Sequence, residues 1–430
     1  MDINVILYYN DKTKYSINPL IASLDNIPGV KIILVDSINT MVSVVNKLRE
    51  RGKCIVGFSL MTTMLTDDGF LRDLISLNNI LSEKNCITIA GGPHASGDPI
   101  GTLVSLKFKY VFIGEAEKSI KDFVHAILNN DDIYKVKGLM FIDGKELVFT
   151  GRQEIIDLNE YDPFPYWRGI FSPIEITRGC PYGCFYCQVS YMHGKFYRHR
   201  DVERVVFYVD KAVKHGKLDI RFISPNGLAY GSKSPFEKPR HELLENLLCR
   251  VRETLGTRGR IFYGTFPSEF RPEYVDEEFM KILAKYVHNR SIIIGAQSGS
   301  EKVLKFIHRS HGIEEVLNAV DIAITHGFTP EVDIIVGFPG EDLDDLEMTL
   351  ELCRKVISKN GVIHLHYYIP LPGTPFGLRP PTRIPTQVRR ELSKIVGRGK
   401  GYGSWLKQEH ISWKIVELHR EGIIMPMKRS

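Results

Sequence analysis

The sequence predicts an α/β protein made of two consecutive parallel-sheet units, and two rhythms carry that prediction. Over the first 150 residues, short β-branched runs ("INVILYY", "VKIILVDS", "CIVGFSLMT", "CITIAGGPH", "YVFIGEAE") alternate with helix-length amphipathic stretches, the pattern of a doubly wound, Rossmann-like parallel sheet. From 173 to 369, six further strand candidates ("PIEITRG", "DIRFISP", "RIFYGTF", "SIIIGAQ", "VDIIVGF", "VIHLHYYI") alternate with segments such as "VERVVFYVDKAVKHG", whose apolar residues recur at spacings of three and four. Six β-then-α repeats imply a (β/α)6 partial TIM barrel, with reactive groups where strands end and loops begin.

At 430 residues the chain is too long for one core. The expected division is a first domain over 1–150, a linker over 151–170, the barrel over 171–375 and a small basic C-terminal extension over 376–430. The first domain closes on a hairpin, "VKGLMFIDGKELVFT", whose Asp143-Gly144 pair suits a two-residue turn. The linker, "GRQEIIDLNEYDPFPYWRGI", loses the periodicity and carries two prolines. The extension holds twelve Lys and Arg against four acids, more than the chain's whole net charge of +5. It reads as a solvated helical appendage, with a nucleic-acid contact as the alternative.

Hydrophobic content of 43% and charged content of 25% belong to a globular protein and exclude a disordered one. The start, "MDINVILYYN", opens on an acid and is too short in its apolar part for a signal peptide. No run approaches the roughly 18 apolar residues of a membrane span. The expectation is a cytoplasmic protein, in which clustered cysteines serve metals or catalysis rather than disulfides.

Three of the seven cysteines, Cys180, Cys184 and Cys187, fall within eight positions of "EITRGCPYGCFYCQVS", just past the first barrel strand. Soft thiolates in this number suit an iron-sulfur cluster or zinc. Zinc would want a fourth ligand, for which His193 or His199 is the candidate. Three ligands alone suggest a cubane with one iron left open for a substrate. Cys54, Cys86, Cys249 and Cys353 read as buried thiols acting as small hydrophobes, and His94 in "GGPHAS" as a polar residue at a strand end.

Cys-x3-Cys-x2-Cys, with the aromatic Tyr186 before the third cysteine and a β/α repeat around it, resembles the radical S-adenosylmethionine (SAM) superfamily. The resemblance implies a [4Fe-4S] cluster on Cys180, Cys184 and Cys187, whose open iron chelates SAM and whose electron cleaves it to methionine and a 5′-deoxyadenosyl radical. It also implies SAM contacts along the strand ends. These are Tyr186 itself, Gln297 and Ser298 in "IGAQSGSEKVLKFIHR", Gly337 in "VDIIVGFPGED", and Pro370 and Leu371 in "YYIPLPGTP". The second strand ends on "ISPNGLAYG" where many relatives carry a Gly-Gly-Glu-type segment, leaving Asn226 as the candidate there. Glu269 and Arg271 in "FPSEFRPE" are candidates for SAM or substrate, with a surface ion pair as the bland reading.

"AGGPHASGDP" and "FIGEAEKSI", ahead of this barrel, resemble the cobalamin-binding-like domain of a large radical SAM subgroup. Ser59, Gly91 and Gly92 would flank the nucleotide tail, and Gly114 and Glu115 would close the site. The Asp-x-His-x-x-Gly motif that places a histidine on cobalt is absent: the chain reads "YYNDKTKYSINP" there. Either cobalt goes without a protein imidazole or the domain no longer binds cobalamin.

Three functions follow. The leading one is a radical SAM enzyme using cobalamin for methylation or rearrangement at an unactivated carbon, reduced by a partner such as ferredoxin or flavodoxin. The second is a cobalamin-free radical SAM enzyme acting on RNA, methylthiotransferase-like. The third is a non-catalytic zinc-binding module. Tyr191, His193, Glu269 and His366 stand near loops as acid or base candidates.

Overall fold

The computed structural model describes residues 2–48, 52–234, 237 and 239–426. Its first sheet has seven strands: β1 (Ile3–Tyr8), β2 (Val30–Val35), β3 (Lys53–Ser59), β4 (Ile87–Gly91), β5 (Tyr110–Phe112), β6 (Leu139–Asp143) and β7 (Glu146–Phe149). They lie in the order β2-β1-β3-β4-β5-β6-β7. The first five are parallel, and the predicted hairpin joins the edge through an antiparallel β5–β6 pairing. β1 is buried along its whole length. Ile6 and Tyr8 enter one apolar layer, and Ile3, Val5 and Leu7 enter the other, as a central parallel strand covered on both faces requires. Strand order reverses between β1 and β3, so a crevice opens at their carboxyl ends.

The second unit is an open barrel in two arcs. One runs β12 (Arg260–Phe262), β11 (Asp219–Ile223), β8 (Ile174–Glu175). The other runs β13 (Ser291–Gln297), β14 (Thr329–Val336), β15 (Val362–Tyr367), β16 (Gly401–Tyr402). The arcs meet where Phe270 bridges Ile294 and Ile293 N–H donates to the Gly264 carbonyl at 2.7 Å. Between β8 and β11 the cysteine loop is pinned at its base by an antiparallel pair, β9 (Thr177–Arg178) with β10 (Arg198–His199). Six parallel strands are as expected, and the seventh, β16, comes from the extension.

The extension is therefore no solvated appendage. After β16 the helix Trp405–Arg420 buries Trp405, Ser412, Ile415 and Leu418. Ile415, Leu418 and Ile424 enter the same apolar layer as Val56, Phe58 and Leu60 of the first domain, while Trp405 enters the barrel's layer with Leu365. Beyond it, Met425 N–H and Gly101 N–H both donate to the buried Asp98 carboxylate at 2.9 Å. Ser105 Oγ donates to the Gly422 carbonyl at 2.9 Å. Most of its described basic residues are exposed, on a strap that fastens both domains, and Lys414 pairs with Asp68 of the first domain at 3.2 Å. Leu418→Ala should cost about 2–5 kcal/mol, read as a lower urea midpoint; an unchanged midpoint would mean the strap is dispensable.

Candidate functional site

The loop that carries the cysteines is held from four sides. Cys180 N–H donates to the Gly194 carbonyl at 3.1 Å and Phe185 N–H to the Ile307 carbonyl at 3.0 Å. The Phe185 carbonyl accepts from Phe376 N–H at 3.0 Å. Gln188 Nε2 bridges the carbonyls of Pro93 in the first domain and Pro372 after β15, at 3.0 and 2.7 Å. Gly179 has φ +81, and a side chain there would meet the Phe196 carbonyl at 2.2 Å, so only glycine starts this loop.

Burial raises the Cys180 thiol and pushes Cys187 up to about 12, with the neighbouring Cys184 adding to both. Thiols held up in this way are not poised as free nucleophiles, and serving as ligands would require a bound cation to draw off their protons. Cys184, 5% exposed, faces two guanidinium groups: Arg309 Nη1 at 3.7 Å and Arg271 Nη1 at 3.9 Å. Arg271 is steered by Glu273 at 2.6 Å and lies over the Tyr182 ring at 3.5 Å. Arg309 donates through Nε to His311 Nε2 at 2.9 Å. Two fixed cations beside one sulfur fit a group that leaves excess negative charge on its thiolates.

The geometry does not suit one zinc ion. Thiolates on a single tetrahedral zinc stand roughly 3.8 Å apart, and the three sulfurs do not all lie within 4.8 Å of one another. Of the fourth-ligand candidates, His199 has both ring nitrogens engaged, with Thr177 at 3.0 Å and the Ser232 carbonyl at 2.7 Å. His193 Nδ1 is turned to Glu115 at 3.3 Å.

The strand-end candidates differ in their surroundings. Tyr186 packs against Phe338, centroids 5.5 Å apart. Asn226 is fully buried; its Oδ1 accepts from Arg271 N–H at 3.3 Å, while Nδ2 has no partner. Gln297 leaves β13 at φ +75, beside a register shift between Gly295 and Gln297. Ser298 points inward, its Oγ accepting from Ser300 N–H at 3.1 Å and lying 3.3 Å from Thr349 Oγ1, so it shapes the turn. Gly337, at φ +85, donates N–H to Glu341 at 2.6 Å, and a side chain there would meet the Tyr367 ring at 2.7 Å. Pro370 is buried and Leu371 half-buried, on the segment whose Pro372 carbonyl meets Gln188. Glu269 is placed apart from the loop, toward Asp333 and His364 in the lumen. Burial, then repulsion from Asp333, pushes its carboxyl up to about 7.

In the first domain Ser59, Gly91, Gly92, Gly114 and Glu115 line one cavity of about 260 Å³, with Leu7, Ile89 and Phe112 as its apolar wall. Gly92, at φ +87, brings its backbone against Ser59 Oγ, which a side chain would meet at 2.6 Å. The far wall belongs to the barrel: Glu175, Arg178, Met192 and His193. His94 is not part of it. That ring is fully buried, bonded to Thr62 Oγ1 at 3.1 Å and driven down to about 3 by burial.

Glu115 and Arg178 join the two walls. Arg178, two residues before Cys180 and 8% exposed, bonds Glu117 and Glu175 at 2.7 Å and lies 3.7 Å from Glu115. Glu115 also takes both terminal nitrogens of Arg198. Burial alone would raise the Glu115 carboxyl, but hydrogen bonds from His193 and Arg198 and the charges of Arg178 and Arg198 hold it at about 2. Sequence reasoning missed Arg178, Arg198 and Arg309.

Residues 174–353 match the Radical SAM superfamily. The chain carries a radical SAM domain. The match begins at β8 and contains the cysteine loop, Asn226, Glu269, Gln297 and Gly337. Among curated proteins the chain is similar to the tRNA-2-methylthio-N(6)-dimethylallyladenosine synthase of Moorella thermoacetica, 30% identical over 59% of this chain and 55% of that enzyme. It thus spans little more than half of that relative. Among solved structures it is similar to the radical SAM methyltransferase TsrM of Kitasatospora setae, determined with cobalamin and a [4Fe-4S] cluster. The TM-score is 0.69 at 16% identity, covering 88% of this chain and 74% of TsrM. It is also similar to the cobalamin-dependent radical SAM enzyme OxsB, determined with aqua-cobalamin, with a TM-score of 0.65 at 16% identity over 93% of this chain and 55% of OxsB. The likeness spans both domains, so the radical SAM domain and its sheet domain share their arrangement with these enzymes.

Glu115 titrates below its ordinary value of 4.5, so its contribution to stability is present above about pH 4.5 and is lost as pH falls toward 2. Glu115→Gln should lower the urea midpoint at pH 7 and flatten the decline over that window. Arg178→Met, which strands buried carboxylates, should cost about 3–5 kcal/mol. Wild-type behaviour from either variant would contradict this placement of the ion cluster.

Proposed function

We propose that this radical SAM enzyme binds a [4Fe-4S] cluster, SAM and cobalamin, and modifies an unactivated carbon by methylation or rearrangement. Cys180, Cys184 and Cys187 would hold the cluster. When bound, cluster and SAM supply one-electron cleavage to methionine and a 5′-deoxyadenosyl radical. Arg271 and Arg309 would balance the thiolate charge at Cys184, and the Asn226 amide, with Nδ2 unpartnered in a buried position, is the donor left for a SAM carboxylate. Gln297 and the ring of Tyr186 would fix SAM at the strand ends, and Gly337 allows the backbone approach there that a side chain would block.

The observation that carries the cobalamin part is the shared wall: the cavity at the switch point of the first sheet is completed by residues of the cysteine loop's own base and arm. At about 260 Å³ it lies below the roughly 300–1,000 Å³ of pockets that hold whole ligands. It would therefore take one part of the cofactor, the nucleotide tail, between Ser59, Gly91, Gly92 and Gly114. The first-domain wall of the cavity offers cobalt no imidazole, since His94 is enclosed, and the imidazole on the barrel wall, His193, has its Nδ1 turned to Glu115. A reducing partner such as ferredoxin or flavodoxin completes the scheme.

A second reading, a cobalamin-free enzyme acting on RNA, is favoured by the likeness to the Moorella tRNA enzyme and by the positive outer surface of the extension. It predicts RNA affinity that falls steeply with salt.

Anaerobically reconstituted protein should contain about four iron and four sulfide per chain and form 5′-deoxyadenosine with SAM and a strong reductant. Alanine at any one of the three cysteines should abolish both. Hydroxocobalamin should stay with the protein through gel filtration. A colourless product together with salt-sensitive RNA binding would transfer the assignment to the second reading.

A further inference from the structure

The lumen of the barrel holds a second cluster of ligating side chains, distinct from the cysteine loop. β14 and β15 pair in the register Asp333 to His364 and Ile335 to His366. Val332, Ile334 and Val336, with Ile363, Leu365 and Tyr367, are buried in one apolar layer, so the alternate residues Asp333, His364 and His366 face the lumen. Their ligand atoms converge. His364 Nδ1 lies 2.8 Å from Asp333 Oδ1, and His366 Nε2 lies 3.1 Å from His364 Nδ1 and 3.7 Å from Asp333 Oδ1. Ligands about 2.1 Å from one ion stand roughly 3.0 Å apart at octahedral right angles and roughly 3.4 Å apart in a tetrahedron. The three separations straddle those values. Among the described residues no other group of three His, Cys, Asp or Glu brings its ligand atoms this close.

Protons alone account poorly for the same contacts. Gln408 Oε1 accepts from Tyr367 N–H at 2.9 Å, and its Nε2 donates to His366 Nδ1 at 3.2 Å. Without an ion, His366 therefore carries its proton on Nε2. His364 needs a proton on Nδ1 to bond Asp333, and two N–H groups then oppose each other 3.1 Å apart. A cation between the three atoms removes that opposition and leaves His366 Nδ1–H facing Gln408, whose single oxygen Oε1 would then serve both that N–H and Tyr367 N–H. Among the described residues no Lys or Arg forms an ion pair with Asp333, whose partners are the two imidazoles. His364 is set by stacking on Tyr402 at 4.3 Å and 14°, and the Tyr402 hydroxyl donates to Glu331 at 2.5 Å.

We propose that Asp333, His364 and His366 bind one divalent first-row transition ion, of the Zn²⁺, Fe²⁺ or Mn²⁺ class, with coordination positions open to the lumen. Two imidazoles with one carboxylate select such ions over Mg²⁺ or Ca²⁺. The site lies beneath the cysteine loop: Gly295 stands level with Asp333 in the sheet and accepts from Arg309, which reaches Cys184. The ion takes an oxygen or nitrogen donor of the substrate and fixes it in the lumen, with the Glu269 carboxylate on the same side. The site does not depend on what the cysteines hold.

The test uses the full chain with Cys180, Cys184 and Cys187 replaced by alanine, titrated with Co²⁺ as the probe. One equivalent should bind, giving visible d–d absorption without a thiolate charge-transfer band. In that background Asp333→Ala and His364→Ala should each weaken binding at least about a hundredfold, with thermal melts reporting the fold of each variant. Gln408→Glu keeps every ligand and can accept from both Tyr367 N–H and His366 Nδ1–H, so it should tighten binding. Absence of saturable Co²⁺ binding, or affinity unmoved by both alanine variants and by Gln408→Glu, would overturn the proposal.

Discussion

One buried guanidinium, that of Arg178, holds the working parts of this protein in register. It draws together Glu117 from the first domain and Glu175 from the first barrel strand, lies near Glu115, and stands two residues from Cys180. Burial would pull its pKa down, but the surrounding carboxylates hold it well above its ordinary value. Taking such charges out of water is expensive, and the group persists because each member satisfies the others. Its consequence is positional: the carboxyl edge of the first sheet cannot shift without dragging the base of the cysteine loop.

The remaining constraints act around that point. Gln188 ties the far side of the cysteine loop to both Pro93 and Pro372, and the helix Trp405–Arg420 closes the back of both units. The site is thus assembled from strand ends of two parallel sheets, the place where parallel architectures leave backbone groups and side chains free for ligands. Reaction chemistry would come from bound groups, and the chain supplies position, charge balance and exclusion of water. The lumen cluster of Asp333, His364 and His366 is linked to the cysteine loop through the sheet, since Gly295 pairs with Asp333 and accepts from the Arg309 that reaches Cys184.

Much of this was legible in the sequence because its signals are local. Cys-x3-Cys-x2-Cys spans eight residues, and the glycines at 92 and 337 stand where strands turn at positive φ. The alternation of β and α runs gave both sheets. What stayed hidden depends on distant partners. Arg309 meets Cys184 across 125 positions and Arg178 meets Glu117 across 61. The extension was misjudged because its twelve basic residues mask Ile411, Ile415 and Leu418, spaced as one helical face. His364 and His366 did carry a signal, two residues apart on a strand and hence on one face, but their partner Asp333 becomes visible only in the pairing of β14 with β15.

The central claim is that a ligand held at the first sheet faces the cysteine loop through the Arg178 cluster. Hydrogen–deuterium exchange on the reconstituted protein, with and without hydroxocobalamin, tests it most directly. The account predicts slowed exchange in three stretches at once: 88–95, 112–117 and 177–199. Protection confined to the first domain, or none in either unit, would contradict it.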